Sequence, residues 1–359
     1  MEFSGSPLDT MTEHSRVTLQ VLADRLSIST ATVSLALRGS ALVAESTRQR
    51  VQNLARELGY VYNRSAASLR TSRTNMLGVV FHDFTNPFFM GLLASVEGAV
   101  RDAGLSIVLG TYAENIRGRA GLYSESLERQ QRVLETLREY RPDGMLICPA
   151  GGSTASQFQA LRLAGIPLVQ VMREVSSELD FVGADEEAGV ELAVRHLYEL
   201  GHRRIAMIGG SRKASTGINR HRAFRRTMIA LGLPEAEMLV YEGYGARETG
   251  FRGIQTLLET STPPTAAVCF NDLTAFGVLM GMRHKGLEAG RDLSIVGCDD
   301  ISEAEQWFPG LTTIRNYEEE IGKHAAEMLL ARIAQPKRPS ERRLIPVDLI
   351  VRGTTAPMR

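Results

Sequence analysis

From Met76 onward the chain alternates two rhythms, and that alternation limits its fold more than any other feature. Short apolar runs recur: MLGVVF (76–81), LSIVLGTY (105–112), GMLICPA (144–150), PLVQVM (167–172), RIAMIGG (204–210), MLVYEG (238–243), AAVCF (266–270) and LSIVGCDD (293–300). Between them lie stretches with apolar residues at helical spacing, over 87–103, 125–140, 186–200, 217–231, 248–260 and 272–285. Continuous apolar runs suit strands buried on both faces, and the helices between them suit crossovers, so the chain should build parallel sheets from βαβ units. The polar stretch EVSSELD (174–180) favours two lobes over one large sheet, with the strand that begins at Phe181 opening the second lobe. The closing segment ERRLIPVDLIVRGTT (341–355) reads as a further strand pair.

Residues 19–59 follow a different rule. Helical spacing predicts three short helices, Leu19–Leu26, Thr30–Leu37 and Glu45–Leu58, the last with a capping candidate at Ser46 and an apolar stripe of Val51, Leu54, Ala55 and Leu58. The stretch DRLSISTATVSLAL (24–37) carries five hydroxyl residues, although such side chains compete with the backbone and are mediocre helix formers. Two short helices joined by Ser27–Ile28–Ser29 and followed by a third describe a helix-turn-helix. Ser29 would cap the second helix, and Thr30, Ala31, Thr32, Ser34 and Leu35 sit near its N-terminus, the end that enters a major groove in such motifs. Hydroxyls there can reach phosphates and base edges, and Ala31 and Leu35 can touch thymine methyls. Tyr60, just beyond the third helix, joins this expected DNA-facing set, whereas Val33 and Leu37 should point inward. A solvated Ser/Thr-rich hairpin with no partner is the alternative reading of the segment.

Charge supports the helix-turn-helix reading. The chain is neutral overall, yet residues 1–75 hold nine Arg against six acids, a net +3 that leaves −3 on the rest. A basic head on a mildly acidic body suits a polyanion partner. Other classes are disfavoured. IGGSRKASTG has glycines after a strand but neither GxGxxG nor GxxxxGK[ST] spacing, and no nucleophile elbow is found, so an enzyme is not expected. Cys148, Cys269 and Cys298 lie far apart in apolar runs, the pattern of buried, reduced thiols, and no cluster has metal-ligand spacing. No metal and no cofactor is therefore expected. The opening residues lack the apolar core of a secretory signal and no run is long enough to span a bilayer, which points to a cytoplasmic protein without a membrane partner.

The run VTLQVLADRLSISTATVSLALRGSALVAESTRQRVQNLARELGY resembles the DNA-binding head of the lactose/galactose repressor family of bacterial transcription regulators. NRSAASLRTSRTNMLGVV is similar to its hinge, and FTNPFF, LGHRRIAMIGG, AAVCFNDLTAFG, LSIVGCDD and LTTI to its sugar-binding core, in the same order over residues 17–355. The resemblance implies a small all-α helix-turn-helix head plus an α/β periplasmic-binding-protein-like body of two doubly wound parallel-sheet lobes. The expected division is a disordered leader (1–15), the DNA-binding head (16–62), a hinge helix and linker (63–75), and a ligand-binding and dimerisation body (76–359). Within the body, lobe 1 would take 76–177 and 303–335, and lobe 2 would take 178–302 and 336–356.

In the family the hinge orders when two copies pack in a minor groove, where Leu69 would wedge between base pairs and Arg70 would lie near phosphates. A flexible linker with Leu69 docked on the body is the alternative. Ser27 stands where the family usually has Gly, Val21 replaces an acidic residue, and Ala67 replaces an Arg.

Two-lobed α/β proteins bind ligands in the cleft at strand C-termini. Asn86, Phe88 and Phe89, Arg173, Arg220, Asn271, Asp272, Asp299 and Asp300 fall at such ends, and the family pattern adds Asp185. Carboxylates, an amide and guanidinium forks suit sugar hydroxyls or a carboxylate, and a Phe can cover an apolar sugar face. Asp185 and Asp272 fit equally as helix caps. Met172 replaces the family's customary Asp, so the effector is expected to be a carbohydrate other than a common neutral hexose. The expected partners are a double-stranded operator, that effector and a second copy of the chain. The rival reading is a periplasmic-type sugar-binding protein with no DNA-binding role.

Overall fold

The computed structural model describes residues 17–61, 73–112, 115–116, 119–120, 123–235 and 238–358. It divides into two units, Met1–Arg73 and Thr74–Arg359.

The head is three helices, α1 (Leu19–Leu26), α2 (Thr30–Leu37) and α3 (Glu45–Glu57). Their apolar stripes meet in a small core of Leu22, Ala23, Val33, Ala36, Val43, Val51 and Ala55. Thr18 caps α1, its hydroxyl accepting from Val21 N, and Ser29 caps α2 by accepting from Thr32 N at 3.1 Å. Ser46 does not cap α3. The helix starts one residue earlier, at Glu45, where extended Ala44 supplies the entry without a side-chain bond. Between α1 and α2, Ser27 adopts a left-handed conformation, φ 55° and ψ 42°, and its N–H returns to the carbonyls of Ala23 and Asp24. That backbone is what makes the turn tight, and it is the conformation for which glycine is the unstrained residue.

The body contains strands β1 (Met76–Phe81), β2 (Ser106–Thr111), β3 (Asn115–Ile116), β4 (Arg119–Ala120), β5 (Gly144–Ile147), β6 (Leu168–Val171), β7 (Asp180–Ala184) and β8 (Ile205–Ile208). After these come β9 (Leu239–Tyr241), β10 (Ala266–Cys269), β11 (Ser294–Asp299), β12 (Thr312–Arg315), β13 (Arg342–Ile345) and β14 (Asp348–Ile350). Two six-stranded sheets result, ordered β13-β7-β6-β5-β1-β2 and β14-β12-β11-β10-β8-β9. Every pairing in them is parallel except β12 with β14, which runs antiparallel at the edge of the second sheet. The central strands β5, β8 and β10 are buried along their whole length, which is why they read as unbroken apolar runs, while β6, equally buried, carries Gln170, whose amide bonds the Ser176 carbonyl and the amides of Val175 and Ser176.

The apolar pattern locates the strands but not their sheet, and here one expectation is corrected. The strand containing Phe181 does not open the second lobe; β7 pairs with β6 and β13 in the first sheet. The anchor is electrostatic. The buried Asp180 carboxylate accepts from Arg332 (2.9 Å), Arg338 (3.1 Å) and Glu341 N (2.7 Å), tying β7 to the segment that leads into β13. The lobe limits move with it, since 180–184 and 342–345 belong to the first sheet and 312–315 to the second. The chain crosses between sheets three times, after β7, after β12 and after β13, so the closing strand pair is split between them.

Helices 87–101 and 318–334 pack side by side on the first sheet, close enough that a Cβ on Gly322 would stand 2.5 Å from the Leu92 carbonyl. Cys148, Cys269 and Cys298 are buried and not joined by disulfide bonds. Among the described residues no helix is long and apolar enough to cross a membrane.

Candidate functional site

A cleft opens where the C-terminal ends of the two sheets face each other, enclosing about 840 Å³ of atom-free space, part of it open to solvent. From the first sheet it receives His82 and Asp83 after β1, Asn86, Phe88 and Phe89 at the start of helix 87–101, and Met172 and Arg173 after β6. From the second come Ser211, Ala214, Thr216 and Arg220 after β8, Tyr244 to Ala246 after β9, Phe270 and Asn271 after β10, and Asp299 at the end of β11.

The polar groups in this cleft are positioned by bonds of their own. Arg220, on helix 215–230, pairs its Nε with Glu186 and donates from Nη1 to the Phe270 carbonyl, while its guanidinium stacks 4.7 Å from the Phe270 ring centroid. Asn271 caps helix 272–284 through Thr274 N (2.9 Å) and donates from its amide to the Gly245 carbonyl (3.1 Å). Arg173 donates to the Pro149 carbonyl at 3.2 Å. Asp299 accepts from Asn316 Nδ2 (3.0 Å) and, across the cleft, from Asn86 Nδ2 (3.2 Å). Burial, followed by the charge of nearby Asp272, pushes the Asp299 carboxyl well above the ordinary carboxylate range, while Arg220 works in the other direction. On the first-lobe side Phe88 and Phe89 meet edge to face at 5.4 Å, and the His82 ring meets Phe89 edge-on at 4.6 Å.

Backbone strain collects in the same place. Met172 (φ 62°), Asp299 (φ 128°) and Asp300 (φ 57°) all hold conformations unfavourable to side-chain-bearing residues. A surface of aromatic faces with a guanidinium, an amide and a carboxyl converging on it can hold a small polyhydroxylated or carboxylated molecule.

In the head, Ser29, Thr30 and Ala31 are exposed, and Thr32 and Leu35 are partly so. Ser29 Oγ also bonds Thr32 Oγ1 at 2.8 Å, so these two hydroxyls are held together at the N-terminus of α2.

The HTH-type transcriptional repressor PurR of Erwinia tasmaniensis is 30% identical over 342 residues, 94% of this chain and 97% of that protein. The profile of bacterial regulatory proteins, lacI family, matches residues 18–63. The chain belongs to the lacI family. A periplasmic binding protein-like domain profile matches residues 194–355 of this lacI-family regulator. The ribose operon repressor of Haemophilus influenzae is 32% identical over 323 residues, covering 89% of this chain and 92% of that one. Among solved structures, the lac repressor dimer bound to operator and the anti-inducer ONPF superposes with a TM-score of 0.80 at 25% identity, covering 95% of this chain and all of that one. The transcriptional regulator CelR in complex with cellobiose gives 0.70 at 28% identity, covering 94% and 100%.

Within this lacI-family chain the cleft brings together Asn86, Phe88, Phe89, Arg173, Arg220, Asn271 and Asp299 of the residues singled out from sequence. It does not include Asp185, Asp272 or Asp300. Asp185 caps helix 186–199 by accepting from Ala188 N (3.1 Å) and borders a separate surface groove. Asp272 is completely buried and accepts from Thr313 Oγ1 (2.5 Å) and Ile301 N (2.9 Å), pinning the turn after β11. Asp185 is thus the cap that the sequence left open, whereas Asp272 does not cap its helix, because Asn271 holds that place.

In the head, Ser34 turns inward, only 9% exposed, because it shares the buried arc of α2 with Val33 and Ala36. Tyr60 is half-buried against the head core. Leu69 and Arg70 lie outside the described residues. Sequence reasoning passed over His82, Asp83, Tyr244, Phe270 and Glu186. His82, Asp83 and Tyr244 directly follow apolar runs and Phe270 ends one, so the strand-end rule would have found them.

Proposed function

We propose that this chain is a cytoplasmic transcriptional repressor that binds a pseudo-palindromic operator as a homodimer and changes its grip on DNA when a sugar or sugar derivative occupies the cleft. The observation that carries this is the presence, in one chain, of a helix-turn-helix head with solvent-facing hydroxyls at the start of α2 and a two-lobed body with an aromatic and polar cleft. In the assigned roles, Ser29, Thr30, Ala31, Thr32, Leu35 and Tyr60 face the operator, Leu69 wedges in the minor groove and Arg70 meets phosphate. Phe88, Phe89, Arg173, Arg220, Asn271 and Asp299 hold the effector. The relatives support this: they are named as repressors, one is seen as a dimer on operator DNA, and another with cellobiose. Helix 87–101 and a matching surface of the second lobe form the expected dimer face.

The test is selection of random duplexes by the full-length chain, then anisotropy on the enriched site with ribose, cellobiose and glucuronate added in turn. Enrichment of a two-fold symmetric site, with affinity shifted by one of these compounds, is the expected result. Recovery of no symmetric site would remove the repressor reading.

A further inference from the structure

Each oxygen of Asp299 already accepts a hydrogen bond. Asn316, from the same lobe, holds Oδ1, while Asn86, from the opposite lobe, donates its amide to Oδ2. Asn86 cannot turn freely, because its own carbonyl oxygen caps helix 87–101 by accepting from Phe88 N at 3.1 Å, which leaves the amide nitrogen aimed at Asp299. Asn86 and Asp299 are buried, line the cleft and stand 213 residues apart in sequence. We propose that Asn86 is an internal stand-in for the effector: it latches the two lobes through Asp299, and an effector hydroxyl must displace it to reach that carboxyl. The proposal rests on the cleft being the effector site. It makes Asn86 a specificity-determining residue, since a ligand able to present a pair of donors to Asp299 displaces the amide more readily than one presenting a single donor.

Two other bonds cross between the lobes and report on the latch. Gly152 N donates to the Lys213 carbonyl at 2.6 Å, and Glu174 N donates to Ser215 Oγ at 2.9 Å. Their amide protons exchange when the lobes part, whatever the effector is.

Asn86→Ser keeps a good helix cap but is too short to reach Asp299. Loss of one net hydrogen bond sets the scale, so exchange at the Gly152 and Glu174 amides of the full-length, ligand-free protein should accelerate by roughly two- to ten-fold. Because only the unliganded state loses a bond, the same variant should bind tighter, by up to a comparable factor, to whichever of ribose, cellobiose and glucuronate binds the wild type. Unchanged exchange at both amides overturns the latch. Faster exchange with equal or weaker binding overturns the displacement and makes Asn86 a direct effector contact. If none of the three sugars binds wild type, the effector reading is what fails, and the exchange experiment still decides the latch. Asn86→Thr, which also caps, repeats the measurement should the Ser variant fold poorly.

Discussion

Replacing Arg220 should cost the body far more stability than loss of a ligand contact would. The guanidinium and its partner Glu186 have side chains only 5% and 7% exposed, so the charge pair is largely withdrawn from water. Glu186 Oε1 has no hydrogen-bond partner among the described residues, so Oε2 depends on Arg220 alone. Arg220→Met would strand that carboxylate, open the Phe270 carbonyl bond and remove the stacking on the Phe270 ring. Removing one member of a buried pair costs about 3–5 kcal/mol, because the other charge stays buried without compensation. For a body of this size that corresponds to a fall in Tm on the order of 10 °C. Replacing both members, Arg220→Met with Glu186→Leu, removes the stranded charge and should recover most of the loss, since a well-packed apolar pair is often as stable as a buried ion pair. Urea denaturation followed by circular dichroism, run on wild type, both single variants and the double variant, measures the coupling. A single variant within about 1 kcal/mol of wild type, or a double variant no better than the sum of the singles, would refute the account.

Three further outcomes follow from particular residues. Ser27→Gly should stabilise the head by about 0.5–1 kcal/mol by relieving the left-handed Ser27 backbone, read as slower amide exchange in α2; unchanged or faster exchange would contradict it. His196, His202 and His221 are each held below the ordinary histidine range, first by burial, so the unfolded chain binds the extra protons. Their contribution to stability is present above a pH of about 6.5 and is lost as pH falls below it, so Tm should drop between pH 7.5 and 5.5, less steeply in His202→Gln; a flat profile would refute this. Leu69→Ala should weaken operator binding by roughly 1–3 kcal/mol while sparing random DNA, and equal losses on both would leave Leu69 with no wedging role.

The alternation of apolar runs and amphipathic stretches determined by itself that this chain forms parallel sheets with crossover helices, because burial on both faces leaves few polar positions in a strand. Local chemistry was equally plain in the head. Ser29 as a cap, the apolar stripe of α2 and the left-handed cost at Ser27 are decided within one or two turns of chain. What the sequence could not decide were partners distant along the chain. DFVGA reads as a strand in either lobe, and only Asp180 meeting Arg332 and Arg338 places it in the first sheet. Asp185, Asp272 and Asp299 are alike as acids near strand ends, yet two cap or pin the backbone and only Asp299 faces the cleft. Arg220 was legible as a cleft residue, but not as half of a buried ion pair, nor was Asn86 as a bond across the lobes. A carboxylate's role depends on which donors reach it first, and those donors are brought together only when the sheets pack.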